Sequence, residues 1–343
     1  MLNSVESGFL DMRCEPATEH DLAVMFNGNM FTNATYLRAS GYGGLLISEG
    51  DTCPPVLWAD QQSHFCTLDR MQTLSNLDIQ RHAAHLFEHT HADFLVFNDI
   101  HLEADSPAFS GYPSQTFQYK ANWRRDISAG EMILPGKRAS ALRRKQKKLQ
   151  EQVGDIPVEF RFERCRPGDV AAIVELNKAK IEAAGGRHHM TAEKQAAMEE
   201  LCAEIGYTAS LTCAEELIAG DIICVSGNRS FVPMLGHNPK YEKYSTGSQV
   251  TYLALLELEK MGCTESNFLW GDSRWKSDFR AIRDPLVTIV VRRNNRVLLS
   301  ADYRKAVLPH AIEAAKAVLK PYLKTLRDKI RTPRLSLLGI DRS

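Results

Sequence analysis

The chain carries no excess charge of either sign: 42 Lys and Arg face 42 Asp and Glu. That excludes a global pull toward nucleic acid or membrane and confines any such contact to a local patch. No C-x-x-C pair occurs among the eight cysteines, at 14, 53, 66, 165, 202, 213, 224 and 263. This disfavours zinc and favours a reduced, cytoplasmic chain. No long apolar run occurs, and the opening MLNSVESGFLDMRCEP lacks a basic start. Neither a transmembrane helix nor a signal peptide is expected. His82, His85, His89 and His91 crowd one helix candidate, the first three near one face. No carboxylate or Cys partner stands at ligand spacing, so no metal is expected.

What is present is a globular composition, 44% apolar and 24% charged, over 343 residues. That length suffices for two modest domains with their own cores. In the C-terminal half VEFRFER (158–164) alternates like a strand. DVAAIVELNKAKIEAAG reads as a helix, opened by Pro167-Gly168 and stopped by Gly185-Gly186. Thr191 caps a second helix. Strands are expected at TASLTCA, IAGDIICVSG, RSFVPMLGH and NFLW. The helix SQVTYLALLELEKMG comes before NFLW and a short helix, WKSDFRAI, after it. LVTIVVR and RVLLSA are expected to form a closing hairpin about Asn294-Asn295.

In the N-terminal half GGLLIS and VLWA read as strands, and NLDIQRHAAHLFEHTH as a helix running into the strand DFLVFN. That helix-then-strand unit echoes LALLELEKMG…NFLW in pattern, not in letters. It predicts two related lobes, 1–130 and 131–303, with a boundary near Gly130, followed by a basic helical tail, 304–343. Between the lobes GKRASALRRKQKKLQEQVG is a strongly basic helix candidate. The tail carries nine Lys and Arg between Arg304 and Arg334 against Glu313 and Asp328, and Pro333 ends it. Its apolar residues Val307, Leu308, Ile312, Val318, Leu319 and Leu323 are expected to cover the sheet. Contact with an acidic membrane surface is the alternative.

The most informative segment is YSTGSQ, where a strand hands over to a helix. Such a junction presents unpaired N–H groups at a positive dipole end and can hold a phosphate-bearing donor. Together with RASALRRKQKKL (138–149), Ala219-Gly220 and GDSRWKSDF (271–279), it resembles the GNAT acyltransferase superfamily, in its FemAB-like/CelD-like branch of two fused GNAT lobes. The resemblance implies an α+β fold with a mixed sheet splayed between strands four and five, RSFVPMLGH and NFLW, plus the C-terminal helix. It departs at Thr246, where the branch usually has Pro. It departs again at Tyr244 and Gln249, against the general (Arg/Gln)-x-x-Gly-x-(Gly/Ala) loop.

The activity it implies is direct transfer of an acyl group, most simply acetyl, from acyl-CoA to an amine of a small molecule, sugar or amino acid. A tRNA-borne aminoacyl donor and a catalytically silent binding module are the alternatives. On this resemblance Met234, Leu235, Gly236, Tyr244, Thr246, Gly247, Ser248, Gln249 and Arg144 are expected at the donor. Lys276, Asp272 and His237 are the catalytic candidates, for oxyanion stabilisation and proton transfer, and Trp275 and Tyr241 line the acceptor pocket.

Overall fold

The computed structural model describes residues 12–26, 28–39, 44–51, 53–104, 109–128 and 133–331. The expected boundary at Gly130 and the terminating Pro333 lie outside them. The N-terminal half contains β1 (Arg13–Pro16), α1 (Glu19–Met25), α2 (Ala34–Ala39), β2 (Leu45–Gly50), β3 (Cys53–Asp60) and β4 (His64–Thr67). It continues with β5 (Thr73–Leu74), α3 (Asn76–His89), β6 (Phe94–Leu102) and β7 (Ser114–Asp126). The C-terminal half contains α4 (Gly136–Val153), β8 (Val158–Arg164), α5 (Asp169–Ala183), α6 (Ala192–Ile205), β9 (Gly206–Cys213) and β10 (Glu216–Ser226). Then come β11 (Arg229–His237), α7 (Thr246–Lys260), β12 (Glu265–Asn267), α8 (Arg274–Asp278), β13 (Ile282–Arg292) and α9 (Ala301–Arg331).

One mixed sheet runs through both halves in the order β1-β2-β3-β4-β6-β13-β7-β12-β11-β10-β9-β8, with β5 attached to β6. The order repeats. β4 and β6 are parallel with α3 between them in sequence, and β11 and β12 are parallel with α7 between them. The long last strands of the two halves, β7 and β13, pair with each other at the centre, where β13 also pairs β6 and β7 also pairs β12. The pattern echo between the two helix-then-strand units is therefore an echo of topology.

The expected hairpin does not form. Both edges of β13 are already taken, by β6 and β7, so no edge is left for RVLLSA. That segment instead makes a 3-10 turn, Asn295–Leu299, whose Asn294 side chain accepts from the Arg296 amide at 2.9 Å. The tail also differs from expectation. Of its six apolar candidates only Val307 is buried; Leu308, Ile312, Val318, Leu319 and Leu323 are exposed.

The C-terminal core sits on both faces of β10. Its run Ile222-Ile223-Cys224 is fully buried, the signature of a strand covered on both sides. Ile223 packs in one cluster with Val250, Ala254, Leu255 and Leu258 of α7. Ile222 and Cys224 pack in another with Val170, Ile173 and Val174 of α5 and Leu201 of α6. Glycines bring α5 close to the sheet. A Cβ at Gly236 would lie 2.7 Å from the Asn177 amide nitrogen and 2.8 Å from the Ile173 carbonyl oxygen.

Candidate active site

Helix α7 starts in an unusual way. A 3-10 turn, Pro239–Tyr244, delivers the chain to Ser245, which adopts the left-handed conformation (φ 56°, ψ 41°). Ser245 makes no side-chain cap. Its hydroxyl instead accepts from Lys145 Nζ of α4 at 2.6 Å. The amides of Thr246, Gly247 and Ser248 thus open the helix with no side-chain acceptor, and the macrodipole leaves that end positive.

These residues line a cleft of ≈270 Å³ with Lys180, Leu235, His237, Glu242, Thr251 and Trp275. His237 packs on Gly247: a Cβ there would sit 3.1 Å from its Nδ1. Nδ1 is buried with no hydrogen-bond partner, which leaves Nε2 as the nitrogen open to the cleft. Burial, and then the nearby Lys180 charge, pull the His237 pKa below its ordinary value. Its ring is therefore neutral near pH 7. Burial also lowers the Lys180 pKa, against the opposing pull of Asp221 and Glu242. Asp221 lies beneath, fully buried on β10, and accepts from the Thr251 hydroxyl at 2.7 Å. Burial pushes its carboxyl up to about 7.

The cleft opens where the sheet splits. β11 and β12 are in register only from Arg229↔Glu265 to Phe231↔Asn267, after which β11 runs on to His237 alone on that side. The Asn238 amide donates to the Ile218 carbonyl of β10 at 2.9 Å. By the alternation of an antiparallel ladder, the backbone groups of Gly236 and Met234 also face β10, and those of Leu235 and His237 face the gap. Asn177 Nδ2 takes the Leu235 carbonyl at 2.6 Å.

The splay has a cause in the sequence. Lys276 is buried, and its ammonium donates to the carbonyls of Phe268 (2.8 Å), Leu269 (3.0 Å) and Trp270 (2.7 Å). All three of its hydrogens are used on the segment that leaves the sheet after β12, where Leu269 has φ 53°. Burial pulls its pKa down to about 8.

Several expected site residues therefore sit elsewhere. Lys276 holds the split instead of facing the cleft with a free charge. Asp272 lines a different hollow, with Lys120, Arg283 and Lys320, and accepts from Trp123 Nε1 and Arg283 Nε. Burial would raise its pKa, but those two hydrogen bonds outweigh it and the net shift is downward. Tyr241 and Tyr244 are core residues whose hydroxyls donate to Glu216 and Gln152. Gln249 is buried and donates to the Tyr244 carbonyl. Met234 packs against α5, and Gly236 is small to admit that helix. Arg144 is exposed on α4; Lys145 is the cation of that helix that reaches the loop. The cleft does bring together Leu235, His237, Thr246, Gly247, Ser248 and Trp275.

Sequence reasoning missed Lys180, Asp221, Glu242 and Thr251. A signal for two of them was present. Asn177 and Lys180 interrupt the helical face begun by Ile173, and Asp221 is a lone carboxylate within a buried strand. On α3, His82 is held by Ser48 Oγ at 2.7 Å and by the Pro54 carbonyl at 3.0 Å, as a core histidine.

Residues 136–277 match the family model of the acetyltransferase (GNAT) domain. Among solved structures, FemX shares 9% identity, with 83% of this chain and 98% of that chain covered at a TM-score of 0.56. L-PGS from Bacillus licheniformis shares 13%, with 90% and 97% covered at a TM-score of 0.51. Both are likenesses of fold, and both extend well beyond residues 136–277. No curated protein sequence matches the chain.

Proposed function

We propose that this chain, which carries a GNAT acetyltransferase domain over residues 136–277, transfers an acyl group from acyl-CoA to an amine of a small molecule, sugar or amino acid. One observation carries the reading. The uncapped start of α7, the free edge of β11 and the His237 ring meet at a single cleft. In this account the amides of Thr246, Gly247 and Ser248 hold a donor phosphate, with Lys180 and Lys145 adding positive charge. The edge at Leu235 and His237 aligns the pantetheine arm. The amine nitrogen attacks the thioester carbonyl carbon and the C–S bond breaks. His237 accepts the proton the amine loses and returns it to the thiolate. Lys180 serves this by keeping His237 unprotonated and disfavouring a second ammonium beside it.

The test is thiol release from acetyl-CoA and longer acyl-CoAs against a panel of amines. Turnover with at least one pair, lost in His237→Ala, is expected. No thiol release from any pair sinks the acyl-CoA reading.

A second reading, aminoacyl transfer from tRNA, is favoured by α4. Arg143, Arg144, Lys147 and Lys148 are exposed there, on the helix whose Lys145 touches the cleft at Ser245. Retention of charged tRNA on a filter, falling steeply with salt, supports it; no retention at low salt removes it. Failure of both assays leaves a silent binding module.

A further inference from the structure

Helix α9 has two apolar faces, and the fold uses one. Tyr303 and Val307 are buried against Phe94, Phe117 and Val290 of the sheet, with Ala306, Ala311 and Ala314 packed beside them. His310 Nδ1 completes that face at 2.7 Å from the Tyr119 hydroxyl oxygen. Leu308, Ile312, Leu319 and Leu323 follow one another at intervals of four, seven and four residues, which places them in one stripe along a helix. They are 59%, 43%, 53% and 62% exposed, and Tyr322 beside them is 72% exposed. At 3.6 residues per turn this stripe lies on the side of the helix away from Tyr303, Val307 and Ala314.

Cations flank the stripe. Lys305, Lys316 and Lys320 are exposed, and helical spacing puts them along one edge of it. Across α9 the sequence has eight Lys and Arg against three acids, in a chain whose overall charge is zero. Like α4, with seven Lys and Arg against Glu151, α9 is thus a local basic element, and it is one that also exposes its apolar side chains.

We infer that α9 docks in the plane of an anionic lipid bilayer, its Leu308–Leu323 stripe entering the headgroup boundary and its lysines meeting acidic headgroups. Charge selects this occupant over a second copy of the chain. Pairing the stripe antiparallel with itself brings two rows of lysine together, and Glu313 beside them is already bound to Lys316 at 2.7 Å.

The experiment is co-sedimentation of the full chain with vesicles of phosphatidylcholine alone and of phosphatidylcholine with an equal part of phosphatidylglycerol. Sedimentation with the anionic vesicles only is expected, weakening as salt rises from about 0.1 M to about 1 M and the screening length shortens. The double variant Ile312→Glu/Leu319→Glu is expected to lower partitioning about tenfold or more with an unchanged melting temperature, because both residues are exposed. Lys316→Glu/Lys320→Glu is expected to remove the preference for anionic lipid. Sedimentation with neither vesicle, equal sedimentation with both, or binding untouched by the double variant overturns the proposal. So does a dimer by light scattering that the double variant makes monomeric while vesicle binding is absent.

Discussion

Both halves of the sheet break a parallel pair after three residues in register, and only one break stays open. In the N-terminal half β4 leaves β6 after Cys66↔Val96. The gap is filled by buried Leu68, Met71 and Leu74, and by β5 laid on β6 at Thr73↔His101. Met71 is pinned by its amide to the Asp99 carbonyl at 2.8 Å. The helix that follows is fully capped. Ser75 Oγ accepts from the Asp78 amide, and the Asp78 carboxylate accepts from the Ser75 amide. In the C-terminal half the gap beside β11 is a cleft, and the serine before α7 is drawn off to Lys145. The topology is shared, but the open gap and the helix start without a side-chain cap are not. The difference lies in a plug and a cap, each made of a few side chains.

The largest expected effect is on that asymmetry. His237→Ala should lower turnover by about 10²–10⁴-fold with little change in melting temperature, measured as steady-state thiol release. The acidic limb of kcat/KM should fall below the ordinary histidine pKa, because burial and then Lys180 lower it. Lys180→Met removes a charge that disfavours the protonated ring, so the limb should move to higher pH. A limb that moves down or stays put contradicts the assignment of His237 as base.

Next is Lys276→Ala, which deprives three backbone carbonyls of their shared donor. A loss of about 3 kcal/mol in denaturant unfolding is expected. Unchanged stability with lost turnover would make the lysine a chemical group instead of the clamp on the split.

Asp69 offers a contrast with Asp221. Both are buried, but Asp221 has the Thr251 hydroxyl as a donor, whereas Asp69 has no side-chain donor and only backbone groups, its own and that of Leu57, pull against its burial. Burial raises the Asp69 pKa to about 8. A carboxyl raised in the folded state favours folding below the unfolded pKa and loses that contribution as pH rises through the folded value. Asp69→Asn should therefore gain stability relative to the parent between pH 4 and pH 8, by on the order of 1–3 kcal/mol at the upper end. A pH-independent difference in urea midpoints would count against it.

The smallest effect sharpens the comparison most cheaply. Ser75→Ala should cost about 1 kcal/mol. Ser245→Ala, which removes no cap, should cost less, and the paired melting curves report the order.

Much of this was readable in the sequence because it is local. The limits of β8 and β11, the helix α7 behind a small-residue loop, and the helix-then-strand echo follow from periodicity and turn residues within a dozen positions. The false hairpin at Asn294 shows where that stops. Nothing near RVLLSA reveals that β6 and β7 already occupy both edges of β13. The site divides the same way. Thr246, Gly247 and Ser248 are fixed by the helix start, and His237 by the strand end. Lys180 reaches the cleft only through the packing of α5 on β10 and β11, and Asp221 lies beneath it only through the packing of α7 on β10. Gly236 and Lys276 were read as ligand-facing because a glycine and a lysine in a motif carry no direction. Register turns one toward Asn177, and burial turns the other toward three carbonyls.

The central claim is that the open split, and not the plugged one, holds a phosphate-bearing donor at the start of α7. Isothermal titration of acetyl-CoA into the parent chain, Gly247→Leu and Ser75→Ala tests it most directly. The account predicts micromolar binding by the parent and by Ser75→Ala, and none by Gly247→Leu, whose side chain fills the space beside His237. Equal binding by Gly247→Leu and the parent, or loss in Ser75→Ala alone, would contradict it.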